Sequence, residues 1–187
     1  MDSASFSFTR QREMKGLGHA ILTGRRLVGD QAFGVILSDD LCMPPDSGVG
    51  VMAQMVKLYK QFRCSIVAIQ EVDGADIEKF GVVEGEKLKD GIFRVSNMVE
   101  KPKLADAPSN MAVIGRYILT PDIFDILEKT PPGKGGEIQL TDALMQQAQE
   151  GAVLAYRFKG SRYDCGSVEG FIEATNYVYE NIYRQPK

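Results

Sequence analysis

Short apolar runs alternate with segments of helical periodicity along most of this chain. Apolar or alternating runs predict strands at residues 6–9, 32–37, 65–72, 80–84, 92–100, 111–119 and 153–158. Apolar residues at helical intervals predict helices at residues 20–28, 49–62, 137–149 and 167–183. The alternation of strands and helices predicts an α/β fold with a mixed, mostly parallel sheet.

Three local signals refine these elements. The turn-forming residues 89–91 separate two predicted strands. Thr120, followed by Pro121, predicts a further helix with threonine as its N-cap, which ends at residues 131–133. The segment 32–37 is almost wholly apolar, which is typical of a buried parallel strand.

Composition narrows the class of protein. A chain of 187 residues is long enough for one domain, predicted to span 1–187, with a core of its own. A net charge of −3 gives no electrostatic support to a nucleic-acid partner. Neither a bilayer-spanning apolar run nor a signal peptide is visible, and three widely spaced cysteines suggest reduced thiols. We therefore expect no membrane contact and a cytoplasmic location.

Two acidic residues follow predicted strands. Asp39 comes after the run 32–37, and Asp164 comes between a strand and the final helix. Taken singly, Asp39 reads as a turn residue and Asp164 as a residue that precedes a helix. Ligands collect at strand ends in α/β sheets, and Mg²⁺ commonly takes one or two carboxylates plus phosphate oxygens. The pair therefore forms a candidate metal site.

A glutamine and a glycine turn near the start of the chain form a second candidate. The side-chain amide of Gln11 offers a donor and an acceptor, which suits the edge of a nucleobase. A glycine such as Gly16 allows backbone groups to approach a base closely. The alternative is an ordinary flexible turn before a helix. His19, the one histidine, has a structural role in either interpretation.

A charged pair at the end of a strand forms the third candidate. Glu100 and Lys101 are neighbours, so an extended strand would point them to opposite faces and make a salt bridge between them unfavourable. A carboxylate suits sugar hydroxyls and an ammonium suits a phosphate. Solvation of both charges beside Pro102 is the alternative. Gly81 would allow a ligand near the backbone, or mark a bulge.

Seven segments, in this order, resemble one family. They are Gln11, Lys15-Gly16-Leu17-Gly18-His19-Ala20, Leu37-Ser38-Asp39-Asp40, Phe80-Gly81-Val82-Val83-Glu84, Met98-Val99-Glu100-Lys101-Pro102, Glu137-Ile138-Gln139-Leu140-Thr141-Asp142 and Tyr163-Asp164-Cys165-Gly166. Together they resemble the bacterial UTP–glucose-1-phosphate uridylyltransferases, also called UDP-glucose pyrophosphorylases. The resemblance extends from about residue 8 to the final helix and implies a Rossmann-like nucleotidyltransferase fold.

The resemblance also implies partners and residue roles. The implied substrates are UTP and glucose 1-phosphate, the product is UDP-glucose, the cofactor is Mg²⁺, and the assembly is a homo-oligomer. The implied roles are uracil binding by Gln11 and Gly16, Mg²⁺ ligation by Asp39 and Asp164, glucose binding by Gly81 and Glu100, and phosphate binding by Lys101. Lys101, Asp39 and Asp164 would then be the catalytic residues.

One departure from the family pattern leaves other functions open. The family has a glycine-rich loop with a Gly-x-Gly-Thr-Arg core that cradles the triphosphate, and no such segment occurs in this sequence. We therefore expect an N-terminally truncated, partial nucleotidyltransferase domain with weak turnover on its own. The alternatives are a non-catalytic remnant that binds a sugar phosphate or uridine nucleotide, and a nucleotidylyltransferase for another sugar or base.

Overall fold

A six-stranded sheet with helices on both faces organises the computed structural model, which describes residues 4–45, 48–151 and 153–184. The strands are β1 (Phe33–Ile36), β2 (Asp40–Met43), β3 (Ser65–Glu71), β4 (Gly81–Lys89), β5 (Ile92–Glu100), β6 (Met111–Leu119), β7 (Val153–Arg157) and β8 (Ser161–Asp164). The α-helices are α1 (Gly16–Thr23), α2 (Arg25–Val28), α3 (Val51–Phe62), α4 (Ile123–Lys129), α5 (Leu140–Gln149) and α6 (Val168–Val178).

The sheet is mixed, as expected, but it is not mostly parallel. Its strand order is β1-β6-β3-β7-β5-β4, and β2 and β8 form a separate antiparallel pair. Among the described strands only β3 and β7 pair in parallel; β6 runs antiparallel to β1, β3 and β4. The prediction of a mostly parallel sheet is therefore wrong for this part of the chain. Strand–helix alternation does not report direction, and the short turn between β4 and β5 imposes an antiparallel hairpin.

Strand β1 also differs from its prediction. It pairs antiparallel with β6 at the edge of the six-stranded sheet, and Ile36 is 61% exposed. An apolar run is consistent with a central strand, but only the neighbours of the strand decide whether both of its faces are covered. The prediction of a buried parallel strand from the apolar residues 32–37 is therefore wrong, because β1 is an antiparallel edge strand.

Some element boundaries are confirmed and others are wrong. Strands β5 and β6 have the predicted bounds. Residues 6–9 form no strand, because alternation needs a partner strand and the described chain pairs none with them. Helix α4 begins at Ile123, and the hydroxyl of Thr120 bonds the side chains of Ser65 and Gln147 instead of capping it.

Alternate side chains of β6 enter two different cores. Val113 and Tyr117 pack into a cluster with apolar residues of α4 and α5. Ile114 and Ile118 pack into a second cluster with Met55 of α3 on the opposite face. This period of two residues makes β6 the centre of a three-layer arrangement.

Two expectations from composition concern membranes and thiols. In the part of the chain that the structure describes, no helix combines the length and the apolar character that crossing a bilayer requires. Cys42, Cys64 and Cys165 are all free thiols, as their odd number and spacing predicted. Each of them is half-buried.

Candidate active site

A cleft of about 310 Å³ lies where β2 and β8 approach the start of β4, the end of β5 and the middle of β6. Its walls include five of the seven residues predicted to form a site: Asp39, Gly81, Glu100, Lys101 and Asp164. These residues come from four distant parts of the sequence. The fold therefore assembles the acidic pair and the charged strand end around one open space.

The two predicted metal ligands face each other across a glycine. Asp39 lies in an exposed turn just before β2, and Asp164 ends β8. A Cβ atom at Gly166 would lie 3.1 Å from Asp164 Oδ1 and 3.4 Å from Asp39 Oδ2. The missing side chain thus leaves a space that both carboxylates border. The backbone N–H of Cys165 also donates to the carbonyl of Asp39 at 2.7 Å, which joins the two segments.

The chemistry of this donor set fits a hard divalent cation. No group of three or more His, Cys, Asp or Glu side chains within metal-binding reach occurs in residues 4–45, 48–151 and 153–184. Two carboxylates suffice for Mg²⁺ when phosphate oxygens and water complete its coordination, whereas a structural Zn²⁺ site needs four protein ligands. Asp39 and Asp164 therefore fit a cation that is shared with a phosphorylated substrate.

A buried acid that the sequence did not single out supports this side of the cleft. Asp40 is only 7% exposed, and its Oδ2 accepts a hydrogen bond from the N–H of Gly115 at 2.6 Å. Its other carboxylate oxygen accepts from Nε of Arg162, and its carbonyl accepts from Arg116. Because Asp40 pairs with Asp164 across β2 and β8, this network fixes both strands. In the sequence, Asp40 appeared only as the last residue of the motif Leu37-Ser38-Asp39-Asp40.

The predicted sugar-binding residues touch each other through a threonine. Thr141 Oγ1 donates to Glu100 Oε2 at 3.1 Å. A Cβ atom at Gly81 would lie 2.8 Å from Thr141 Cγ2 and 3.3 Å from Glu100 Oε2, so a larger residue does not fit there. Sequence reasoning gave Thr141 no role. The sequence pointed to Thr141 only as a member of a family motif, and nothing in that motif indicated that Thr141 bonds Glu100.

Lys101 corrects the expectation of opposite faces. Its Nζ lies 3.8 Å from Glu100 Oε1, within ion-pair distance. The backbone of Lys101 takes a left-handed conformation, with φ of 44°, so the chain leaves the strand geometry on which the expectation rested. Two hydrogen bonds hold this turn: Lys101 N–H donates to Phe80 O at 3.0 Å, and Lys134 Nζ donates to Lys101 O at 3.0 Å.

Gln11 and Gly16 contact each other but do not line the cleft. Gln11 Nε2 donates to the carbonyl of Gly16 at 3.1 Å and lies 2.9 Å from Nδ1 of His19. Gly16 has a φ of 84°, and a Cβ atom there would lie 2.7 Å from Cβ of Glu137, which does line the cleft. The turn is therefore a fixed structure beside the cleft. The contact with Gln11 agrees with a structural role for His19.

Tyr117 is a further cleft residue that sequence reasoning missed. It looked like part of an apolar strand, and it is only 6% exposed. Burial raises the pKa of its hydroxyl, and the nearby carboxylates of Glu100 and Asp40 raise the pKa further. Tyr117 therefore stays protonated at neutral pH and can act as a hydrogen-bond donor within the cleft.

Comparison with known proteins gives a consistent result. The model of the nucleotidyl transferase family matches residues 3–181. A UTP–glucose-1-phosphate uridylyltransferase of Pseudomonas aeruginosa is 66% identical over all 187 residues, which cover 67% of that protein. One from Staphylococcus saprophyticus is 42% identical over 172 residues, covering 92% of this chain and 59% of the relative.

Solved structures agree with the sequence relatives. A UDP-glucose pyrophosphorylase complexed with UDP-glucose superimposes with a TM-score of 0.91 at 59% identity, covering 94% of this chain and 66% of that one. A UTP-bound UGPase from Acinetobacter baumannii gives a TM-score of 0.81 at 33% identity, covering 93% and 60%. The chain thus spans between 59% and 67% of the length of these four relatives. Nucleotidyl transferases generally use a divalent metal ion. The chain belongs to the nucleotidyl transferase family, and within it to the UTP–glucose-1-phosphate uridylyltransferases.

Proposed function

We propose that residues 1–187 are a partial nucleotidyltransferase domain that carries the metal and sugar-phosphate part of a uridylyltransferase site. The reaction is the transfer of a uridylyl group from UTP to glucose 1-phosphate, which forms UDP-glucose and pyrophosphate. The observation that carries the proposal is the convergence of Asp39 and Asp164 with Glu100 and Lys101 in one cleft. Relatives named for this reaction support it.

Catalysis of this reaction requires the protein to align the two substrates and to neutralise the negative charge of their phosphates. A phosphate oxygen of glucose 1-phosphate attacks the α-phosphorus of UTP, a new P–O bond forms, and the bond to the bridging oxygen breaks. Its electron pair leaves with pyrophosphate. Because the attacking oxygen is already an anion at neutral pH, no protein base is required. Lys101 neutralises the sugar phosphate, and Glu100 accepts hydrogen bonds from glucose hydroxyls.

Mg²⁺ is the proposed cofactor, and Asp39 and Asp164 would hold it. The ion, when bound, offsets negative charge on the phosphate oxygens of the nucleotide. The support for this role is the space beside Gly166 that both carboxylates border. Asp164 and Asp39 would thus bind the ion from one side and leave its other positions to phosphate and water.

The uracil end is proposed at the turn that holds Gln11 and Gly16. Gly16 allows Glu137 to pack against the turn, since a Cβ atom at Gly16 would lie 2.7 Å from Glu137 Cβ, and Gln11 bonds the Gly16 carbonyl. With Gln11 Nε2 held between the Gly16 carbonyl and Nδ1 of His19, the Gln11 group proposed to meet the uracil edge is Oε1, as an acceptor. This assignment places the base next to Glu137, at the rim of the cleft.

Assembly and location are proposed with the activity. Three free thiols fit a reducing compartment, and we propose the cytoplasm. A homo-oligomer is proposed from the family resemblance. Sedimentation velocity of the purified chain at several concentrations measures its state, and a concentration-independent monomer would contradict this part of the proposal.

The decisive test is binding of UDP-glucose, measured by calorimetry in the presence of Mg²⁺. We expect Glu100→Gln to weaken binding about tenfold, since hydrogen bonds to a charged group contribute roughly 1.5–3 kcal/mol. Glu84→Gln is the matched control, because Glu84 is an exposed residue of the neighbouring strand outside the cleft. Failure of the unaltered chain to bind UDP-glucose would refute the proposal.

Pyrophosphate release separates the remaining alternatives. Turnover with UTP and glucose 1-phosphate, and much less with dTTP, supports the uridylyltransferase. Equal use of dTTP supports a nucleotidylyltransferase for another base. Binding of UDP-glucose without any turnover supports the remnant. The weak turnover expected for this chain stays a prediction that the same assay measures.

A further inference from the structure

Arg162 lies between two carboxylates at the cleft. Its Nε donates to Asp40 Oδ1, and its Nη2 lies 3.3 Å from Asp164 Oδ2. The Arg162 side chain is only 10% exposed. The N–H donors of a guanidinium are held in a rigid, planar fork. Once Arg162 is bonded to Asp40, the direction of its remaining donors toward Asp164 is therefore fixed.

The carboxylate behind Arg162 is itself immobile. Asp40 is buried, and its second oxygen accepts the N–H of Gly115 in the middle of β6. The order of contacts is therefore Gly115, Asp40, Arg162 and Asp164. Asp164 is thus connected to β6 through Arg162, while its other carboxylate oxygen, Oδ1, accepts the backbone N–H of Gly166 at 3.1 Å.

The same guanidinium also touches the sugar-phosphate side. Its Cζ lies 5.0 Å from the ring centroid of Phe80, within the range of a cation–π contact. Phe80 immediately precedes Gly81, and its carbonyl accepts the N–H of Lys101 at 3.0 Å. Arg162 therefore contacts a neighbour of the sugar site and a proposed metal ligand at once.

We infer that Arg162 is a positioning residue that holds Asp164 in the orientation required for sharing a divalent cation with Asp39. This inference rests on the proposed function, because it needs those two carboxylates to be the ligands. Removing a partner that orients a metal ligand typically lowers metal affinity or activity by roughly ten- to a hundred-fold. Arg162 would act through Asp164, without touching the ion.

The positive charge of Arg162 and its orienting effect on Asp164 would change metal affinity in opposite directions. Two substitutions of Arg162 separate these effects. The positive charge of Arg162 repels a nearby cation, so a residue that acted by charge alone would weaken metal binding. Arg162→Gln would then tighten it, and Arg162→Lys would leave it unchanged. Positioning predicts a loss in Arg162→Lys, because lysine keeps the charge but lacks the fork that joins Asp40 to Asp164.

The experiment measures Mn²⁺ affinity of the whole chain by electron paramagnetic resonance of the free ion. We expect Arg162→Lys to bind Mn²⁺ about tenfold more weakly than the unaltered chain. Arg25→Lys is the matched control and should leave the Mn²⁺ affinity unchanged. Arg25 also pairs with two carboxylates, Asp125 and Glu128, and lies 5.9 Å from the Phe124 ring centroid, away from the cleft.

The outcomes keep this inference apart from the proposed function. Asp39→Asn and Asp164→Asn should each reduce Mn²⁺ binding; if neither does, the proposed metal site and the inference both fail. If they do, but Arg162→Lys binds Mn²⁺ like the unaltered chain, the inference alone is overturned. Tighter binding by Arg162→Gln would also overturn it. Thermal unfolding identifies any variant that fails to fold, and Arg162→Lys, which keeps a cation beside the buried Asp40, is the variant on which the test depends.

Discussion

At the scale of single residues, the position of one carboxylate depends on two small neighbours. Glu100 accepts a hydrogen bond from Thr141 and faces Gly81, where a Cβ atom would come within 3.3 Å of Glu100 Oε2. The glycine leaves room for the carboxylate, and the threonine holds it. The proposed sugar end of the cleft therefore requires both a missing side chain and a hydroxyl, and neither residue is charged.

The residue-scale prediction concerns Thr141→Val. Valine keeps the branched shape but removes the hydroxyl that bonds Glu100, so we expect weaker UDP-glucose binding by about tenfold, from the roughly 1.5–3 kcal/mol of a hydrogen bond to a charged group. Calorimetry measures the affinity. Thr175→Val removes a hydroxyl that bonds the Phe171 carbonyl on α6 and serves as the control. Equal affinities in the two variants would contradict a positioning role for Thr141.

At the scale of elements, two short strands outside the main sheet build the acidic side of the cleft. Strands β2 and β8 have four residues each and pair only with one another among the described strands. Such a small ribbon has little stability of its own. The contacts of Asp40 with Gly115 and Arg162 attach it to β6. The geometry of the two proposed metal ligands thus depends on a buried ion pair.

The element-scale prediction concerns Asp40→Asn. Removing one partner of a buried ion pair costs roughly 3–5 kcal/mol of unfolding free energy, and because Asp164 still lies 3.3 Å from Arg162 we expect a loss at the lower end of that range. Urea denaturation measures the change. Asp125→Asn breaks the exposed pair with Arg25 and should cost no more than about 1 kcal/mol. A loss in Asp40→Asn as small as in Asp125→Asn would show that β2 is held by other contacts.

At the scale of the whole molecule, the reactivity of two thiols depends on whether one of the hydrophobic cores is folded. Cys42 on β2 and Cys64 before β3 both pack against the cluster between the sheet and α3. Burial raises the pKa of both thiols. Because the thiolate is the reactive form, a raised pKa lowers its population at any pH below that value. Both thiols should therefore react slowly in the folded chain.

The molecule-scale prediction is measured by alkylation with iodoacetamide. At pH 8 we expect Cys42 and Cys64 to react more slowly in the folded chain than in urea, because burial raises the pKa of both thiols and so lowers the fraction of reactive thiolate. Raising the pH should increase the folded-state rates, as more thiolate forms. Mass spectrometry of the modified peptides assigns each rate. Similar rates in folded and unfolded chains would contradict burial of these thiols.

Much of the site was predictable, because its chemistry belongs to single residues. Five predicted residues line the cleft, and the family resemblance rests on short motifs that keep their order. Asp40, Arg162 and Thr141 were not predicted. Their importance comes from partners far along the chain: 122 positions separate Asp40 from Arg162, and 41 separate Thr141 from Glu100.

The sequence by itself determined the family, the α/β alternation and strands such as β5 and β6, because motifs and side-chain periods are local properties of the chain. Only the tertiary structure decided that the described sheet is mostly antiparallel, that β1 lies at an edge, and that Lys101 turns back toward Glu100. Strand direction, burial and ion pairing depend on which distant segment becomes the neighbour. Local patterns carry no record of that neighbour, so the orientation of the two proposed metal ligands was decided by packing between segments.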